Sequence, residues 1–197
     1  MRKIVLASGN PGKVREINQL LSGNGYEVIP QSRFDVPEAQ ETGLTFVENA
    51  ILKARNAAQH SGLPAIADDS GIEVDALKGA PGIYSARFAG PGAGDQANLM
   101  KLLDALEGVP DERRTARFQC LMVYMEHAAD PTPLICQGTW EGAILHAPRG
   151  DKGFGYDPVF YVPEHGCSSA ELDAETKNSL SHRGKALACL VERLSRH

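Results

Sequence analysis

No run of apolar residues in this chain approaches the length of a membrane span, and KIVLA (3–7), the apolar run at its start, is too short for the core of a secretory signal. A cytoplasmic protein with no membrane partner is the expectation. Cysteine is sparse: the four, Cys120, Cys136, Cys167 and Cys189, are scattered with no C-x-x-C pair, which favours reduced thiols over a disulfide or zinc framework. Charge of one sign is never concentrated. The 25 acidic and 20 basic residues give a net charge of −5 without a block of either sign. General nucleic-acid binding, which needs a basic stripe, is disfavoured. A phosphorylated small molecule is not, because a metal and a few local cations can meet its charge. Repeats, low-complexity tracts and linkers are absent too. The one Pro/Gly-dense stretch, 79–94, is short and flanked by apolar residues. The 197 residues are therefore expected to form a single domain, 1–197, with a sizeable core.

What is present reads as interspersed strands and helices. KIVLA is short, continuous and β-branched, the pattern of a buried strand. Asn10-Pro11 then has the form of a helix start, Asn as cap and Pro in the first turn, with Val14, Ile17, Leu20 and Leu21 at helical spacing. YEVIPQ (26–31) predicts a second strand. Thr45 and Glu48 make a capping box, and Val47, Ala50, Ile51, Ala54, Ala57 and Ala58 its buried stripe, with Asn49 and Lys53 on another face. LPAIADDSGIEVDAL (63–77) predicts a strand, a polar break and another strand. Residues 97–106 read as a helix, and TARFQCLMVYMEH and PLICQGTWEGAIL as an antiparallel pair. Ser168 and Glu171 suggest a further helix cap, and a last helix begins near Ser181. The class is α/β with a mixed sheet.

Four stretches can carry chemistry. SGNPGK (8–13) is either a plain strand-to-helix turn or a phosphate cradle, in which backbone N–H groups and the helix dipole meet an anion and Lys13 adds a charge. IADDSG places Asp68 and Asp69 side by side at the end of an apolar strand. The pair is either a solvated turn or a site where a divalent cation relieves the repulsion, one carboxylate holding metal while the other orients or deprotonates a water. FGYDP (154–158) is either a turn with core aromatics or a stacking platform for a base, with Asp157 accepting hydrogen bonds. In KNSLSHRGKA (177–186), Lys177, His182 and Arg183 crowd a helix start, where cations oppose the dipole unless an anion binds. Glu41, ahead of the capped helix, is unreadable alone. His60, His127, His146, His165 and His197 lack ligand spacing and read as surface residues.

Taken in order, S-G-N-x-G-K, E-T-G-x-T-F-x-E-N-A-x-x-K-A, A-D-D-S-G, G-A-P-G-I-Y-S-A-R, G-F-G-Y-D-P and S-H-R-G give the chain a specific resemblance. It resembles the inosine triphosphate pyrophosphatases, in particular the bacterial members, from about Lys3 to the final helix. The resemblance implies an elongated mixed sheet flanked by helices, with a cleft between two lobes, and a homodimer. It implies Mg²⁺-dependent hydrolysis of ITP, dITP and XTP to the nucleoside monophosphate and pyrophosphate. By the same resemblance Ser8, Gly9, Asn10, Pro11, Gly12 and Lys13 hold phosphates with Lys53 nearby. Asp69 is the catalytic residue and a metal ligand, Glu41 the other ligand, and Asp68 a support. Ser70, Phe154, Gly155, Tyr156, Asp157, Lys177, His182 and Arg183 bind the nucleotide. Ser8 departs from the family's common Thr but keeps the hydroxyl. Two rival readings are a pyrophosphatase for other nucleotides and a non-catalytic nucleotide-binding domain, for which a crowded acid pair has little use.

Overall fold

The computed structural model describes residues 1–8 and 11–196, leaving aside the side chains of 11–13, 16, 19 and 20. Gly9, Asn10 and His197 lie outside the described residues, as do the side chains of Pro11, Lys13 and Leu20.

Among the described residues the chain runs β1 (Arg2–Leu6), α1 (Pro11–Ser22), β2 (Tyr26–Pro30), α2 (Phe46–Ser61), β3 (Ala65–Val74), α3 (Asp95–Ala105), β4 (Thr115–Met125), β5 (Leu134–Ile144), β6 (Phe160–Val162), β7 (Cys167–Ser168), α4 (Ala174–Leu180) and α5 (His182–Leu194). The strands form one sheet in the order β2-β1-β3-β4-β5-β6-β7. β1 is parallel to both β2 and β3, whereas β6 is antiparallel to β5 and β7, so the sheet is mixed as expected. Side-chain pairs Arg117–Glu141 and Gln119–Thr139 step in opposite directions along β4 and β5, which is antiparallel register.

The backbone divides into two compact units, one of residues 1–69, 120–138 and 185–197, the other of 70–119 and 139–184. Each has its own core. In the first, Ile4 and Leu6 of β1, Ile17 and Leu21 of α1 and Leu187, Leu190 and Leu194 of α5 pack with Ile66 and Met122. In the second, Ile72, Val74, Leu99, Leu102, Phe118, Trp140 and Phe160 pack together. Each fully buried leucine contributes roughly 2 kcal/mol by leaving water. The second core also buries Arg114, whose guanidinium donates to the carbonyls of Leu106, Ile144 and Leu145 at 2.8, 2.8 and 2.9 Å. Three acceptors offset the cost of its burial without a carboxylate.

Helix α2 shows most directly how local sequence sets structure. Thr45 Oγ1 accepts from the Glu48 amide at 3.3 Å while Glu48 Oε2 accepts from the Thr45 amide at 2.9 Å, the two halves of the expected capping box. Gly62, at φ 68°, ends the helix and donates to Ala58 at 3.0 Å. The buried stripe is shifted from the expected one: Phe46 and Asn49 are buried with Ala50, Ala54, Ala57 and Ala58, while Val47 and Ile51 are half-buried. A surface of alanines lets the helix lie close to β1.

Two expected boundaries are corrected. The polar break in IADDSG does not exist, since β3 continues as extended backbone through Asp68, Asp69 and Ser70. Lys53 of α2 lies against the pair, its Nζ 2.7 Å from Asp69 Oδ1. Ser168 does not cap a helix. Glu171 reaches back to its amide at 2.7 Å across a turn that follows β7, and the helix starts later, at Ala174, capped by Asp173 accepting from Thr176 N at 2.8 Å.

Candidate functional site

The residues of the first unit converge on one ammonium group. Lys53 projects from the third turn of α2, one helical repeat beyond Asn49. Its Nζ lies 2.7 Å from Asp69 Oδ1 and 3.2 Å from Glu41 Oε1. The Lys53 and Asp69 side chains are 17% and 12% exposed, so the pair is largely withdrawn from water, and Asp68 beside it is buried. Asp69 Oδ2 is itself buried and accepts no hydrogen bond among the described residues.

This electrostatic arrangement is tense. Burial, reinforced by Glu41 and Asp68, raises the Asp69 pKa in spite of Lys53. Burial also works to lower the Lys53 pKa, but Asp69, Glu41 and Asp68 outweigh it and hold the ammonium above its ordinary value. Among the described side chains one cation thus faces three carboxylates, a local excess of negative charge with an unused oxygen pointing for a donor. The donor set is all oxygen, and carboxylates numbering one or two are what Mg²⁺ takes beside substrate phosphates. Among the described residues no group of three His, Cys, Asp or Glu side chains is arranged to hold a metal ion by itself.

Glu41 has no helix or strand to fix it. Its position comes from the segment that follows. The Gly43 amide donates to Asn49 Oδ1 at 2.9 Å, and the Leu44 amide donates to Glu48 Oε2 at 2.8 Å. A Cβ at residue 43 would fall 2.5 Å from Glu48 Cβ, so only glycine allows this approach to α2. Asn49, expected on another face from the buried stripe, is itself fully buried. It and Glu48 are positioning residues that sequence reading missed. An amide inside an otherwise alanine-lined stripe was the available signal.

The second unit holds an aromatic and cationic group. Phe154 is 59% exposed, unusual for a large apolar side chain, and carries Lys177 Nζ at 5.5 Å and the Arg183 guanidinium at 5.1 Å from its ring centre. Buried Asp157 organises this loop: Oδ2 accepts from the Phe154 amide at 2.8 Å and pairs with Lys177 Nζ, while Oδ1 accepts from Ser169 Oγ at 2.8 Å. Gly153, at φ 78°, leaves the space that Asp157 Oδ2 fills, since a Cβ there would sit 2.2 Å from that oxygen. The Gly155 amide donates to Asp95 Oδ2 at 2.8 Å, and Tyr156, buried, donates its hydroxyl to the Ser85 carbonyl at 2.7 Å. Tyr156 therefore anchors the loop while Phe154 faces outward. His182 is buried with its ring stacked on Phe118, centroids 4.7 Å apart and planes 11° apart, at the start of α5. Gly184 allows the tight passage from α4, where a Cβ would meet the Asn178 carbonyl oxygen at 1.8 Å.

The structure thus gathers Glu41, Lys53, Asp68 and Asp69 in the first unit, and Phe154, Gly155, Tyr156, Asp157, Lys177 and Arg183 in the second, with His182 on Phe118. Ser70 follows directly in β3, half-buried. Ser8 donates its amide to Leu6 at 2.8 Å, and α1 begins at Pro11, so Gly12 and Lys13 lie in its first turn. The candidate phosphate contacts of Gly9, Asn10 and Lys13 lie outside the described residues.

The Ham1 family model matches residues 4–193. The dITP/XTP pyrophosphatases of Vibrio parahaemolyticus and Vibrio cholerae are 65% and 64% identical, over 99% and 98% of this chain and 98% and 96% of theirs. A solved HAM1 protein from Coxiella burnetii superposes with a TM-score of 0.97 at 52% identity over the whole of both chains. The Ham1 protein of Staphylococcus aureus does so with 0.92 at 41% identity over 99% of each. With its family model, its relatives and its fold in agreement, this chain belongs to the Ham1 family.

Proposed function

We propose that this protein hydrolyses non-standard purine nucleoside triphosphates, dITP, XTP and ITP, to the monophosphate and pyrophosphate, clearing them from the nucleotide pool before they enter DNA or RNA. The identity to dITP/XTP pyrophosphatases supports the reaction class. The observation that carries the mechanism is the half-used carboxylate of Asp69, one oxygen on Lys53 and the other without a donor. We read the whole chain as one catalytic domain, working as a cytoplasmic homodimer on a small molecule. Among the described residues no helix is long and apolar enough to cross a membrane.

Glu41 and Asp69, with Asp68 in support, are the residues that would hold Mg²⁺. A bound Mg²⁺ supplies charge neutralisation on the triphosphate oxygens. Asp69 Oδ2 orients the attacking water and takes its proton as the bond to phosphorus forms. Lys53 meets the negative charge that builds on the pyrophosphate leaving group, with Lys13 and the Ser8–Lys13 turn assisting at the phosphates. Phe154 stacks on the base, and Asp157 holds Phe154 and Lys177 in place. Donors from the His182–Arg183 region would read the O6 of a 6-keto purine. Adenine presents an amino donor there and would leave buried groups unpaired.

The experiment is to mix purified protein with ITP and Mg²⁺ and identify the released group. Pyrophosphate is expected, and single phosphate would reassign the reaction. Turnover of ITP, XTP and dITP should exceed that of ATP, which presents an amino group in place of O6; equal rates would remove the 6-keto selectivity.

A further inference from the structure

Two thiols far apart in sequence meet in the first unit, outside the residues given a role above. Cys189 Sγ of α5 lies 3.0 Å from Cys136 Sγ of β5, across 53 residues of chain. That is closer than the roughly 3.5–4.0 Å at which non-bonded heavy atoms settle, and about 1 Å from the S–S bond length. Cys136 is buried at 1% exposure, Cys189 is half-buried, and the Arg193 guanidinium, donating to the Ile135 carbonyl at 2.8 Å, sits beside them. We propose that Cys136 and Cys189 are a hydroperoxide-sensitive dithiol that closes to a disulfide, joining β5 to α5.

The chemistry divides between the sulfurs by exposure. The Cys189 thiolate attacks the terminal oxygen of a hydroperoxide, the O–O bond breaks, the alcohol or water leaves, and Cys189 becomes a sulfenic acid. Cys136 attacks that sulfur, the S–S bond forms, the S–O bond breaks, and hydroxide leaves with the Cys136 proton as water. Two thiols are oxidised and one peroxide is reduced. Burial and the adjacent Cys189 thiol push the Cys136 pKa up to about 12, against the opposing pull of Arg193, which keeps Cys136 protonated until its partner is oxidised. A link closing a loop of this length restricts the unfolded chain.

The full chain, reduced and then treated with stoichiometric hydrogen peroxide, tests this. Thiols titrated in denaturant should fall from four to two, with an intact mass lower by about 2 Da. A non-reduced digest should join the peptides of Cys136 and Cys189, and dithiothreitol should reverse the change. Melting of the oxidised form should rise by about 5–10 °C over the reduced form. In Cys189→Ser and, separately, Cys136→Ala, no internal disulfide should form. Four remaining thiols, a bond through Cys120 or Cys167, or stable oxygen adducts on Cys189 in the parent chain would each overturn the proposal.

Discussion

The acidic group of the first unit and the cationic aromatic group of the second solve opposite electrostatic problems. In the first unit an excess of carboxylate is drawn out of water around a single ammonium, and burial leaves Asp69 with a raised pKa and an unused oxygen. In the second unit two cations lie over the face of an exposed phenylalanine, and one buried aspartate bonds the Phe154 amide and pairs with Lys177. In the proposed function the acidic group is neutralised and moves a proton, and the cationic aromatic group lies against the base. That proposal assigns chemistry and recognition to different side chains, and substitutions should separate them.

The largest effect is expected at Asp69. Asp69→Asn keeps size and one acceptor for Lys53 but removes the base, and kcat for ITP should fall by roughly 10²–10⁴-fold. Circular dichroism and melting should stay close to those of the parent. A variant retaining full turnover would break the assignment of chemistry to the acidic group. Phe154→Ala should act on the other side of the comparison. It removes the stacking face and releases Lys177 and Arg183, so KM for ITP should rise by about tenfold while kcat changes little. A fall in kcat with unchanged KM would show that the two groups are not separable.

Much of this arrangement was legible because it is local. A Thr and a Glu three residues apart can meet only if a helix starts there, and α2 starts there. The residue types of the site were also visible in their motifs. What escaped depends on partners distant in sequence. The strand was expected to break at Asp68 and Asp69 because Lys53, 16 residues before Asp69, was not yet beside them. Ser168 and Glu171 carried the same local signal as Thr45 and Glu48, but their reciprocal bond closes a turn, and no apolar stripe follows to make a helix worthwhile. Asn49 shares its helix with Lys53, yet its burial is set by packing and by the Gly43 amide, neither of which appears in helical spacing.

The smallest effect expected lies in how Glu41 is supported. Glu48 accepts from the Leu44 and Thr45 amides and the Thr45 hydroxyl, and the hydroxyl and amide bonds hold its pKa below the ordinary 4.5. The folded form binds its proton less readily than the unfolded form does. Its contribution is therefore complete above the unfolded value and is lost as pH falls through the lower folded value. Glu48→Gln keeps an acceptor but not the charge near the helix N-terminus, and Tm at neutral pH should fall by about 1–3 °C. The difference between parent and variant should shrink as the melting series is carried to acid pH below 4.5. A difference that held constant across that range would mean that the charge of Glu48 does not hold the segment. The support of Glu41 would then rest on Asn49 and the glycine that lets the chain approach it.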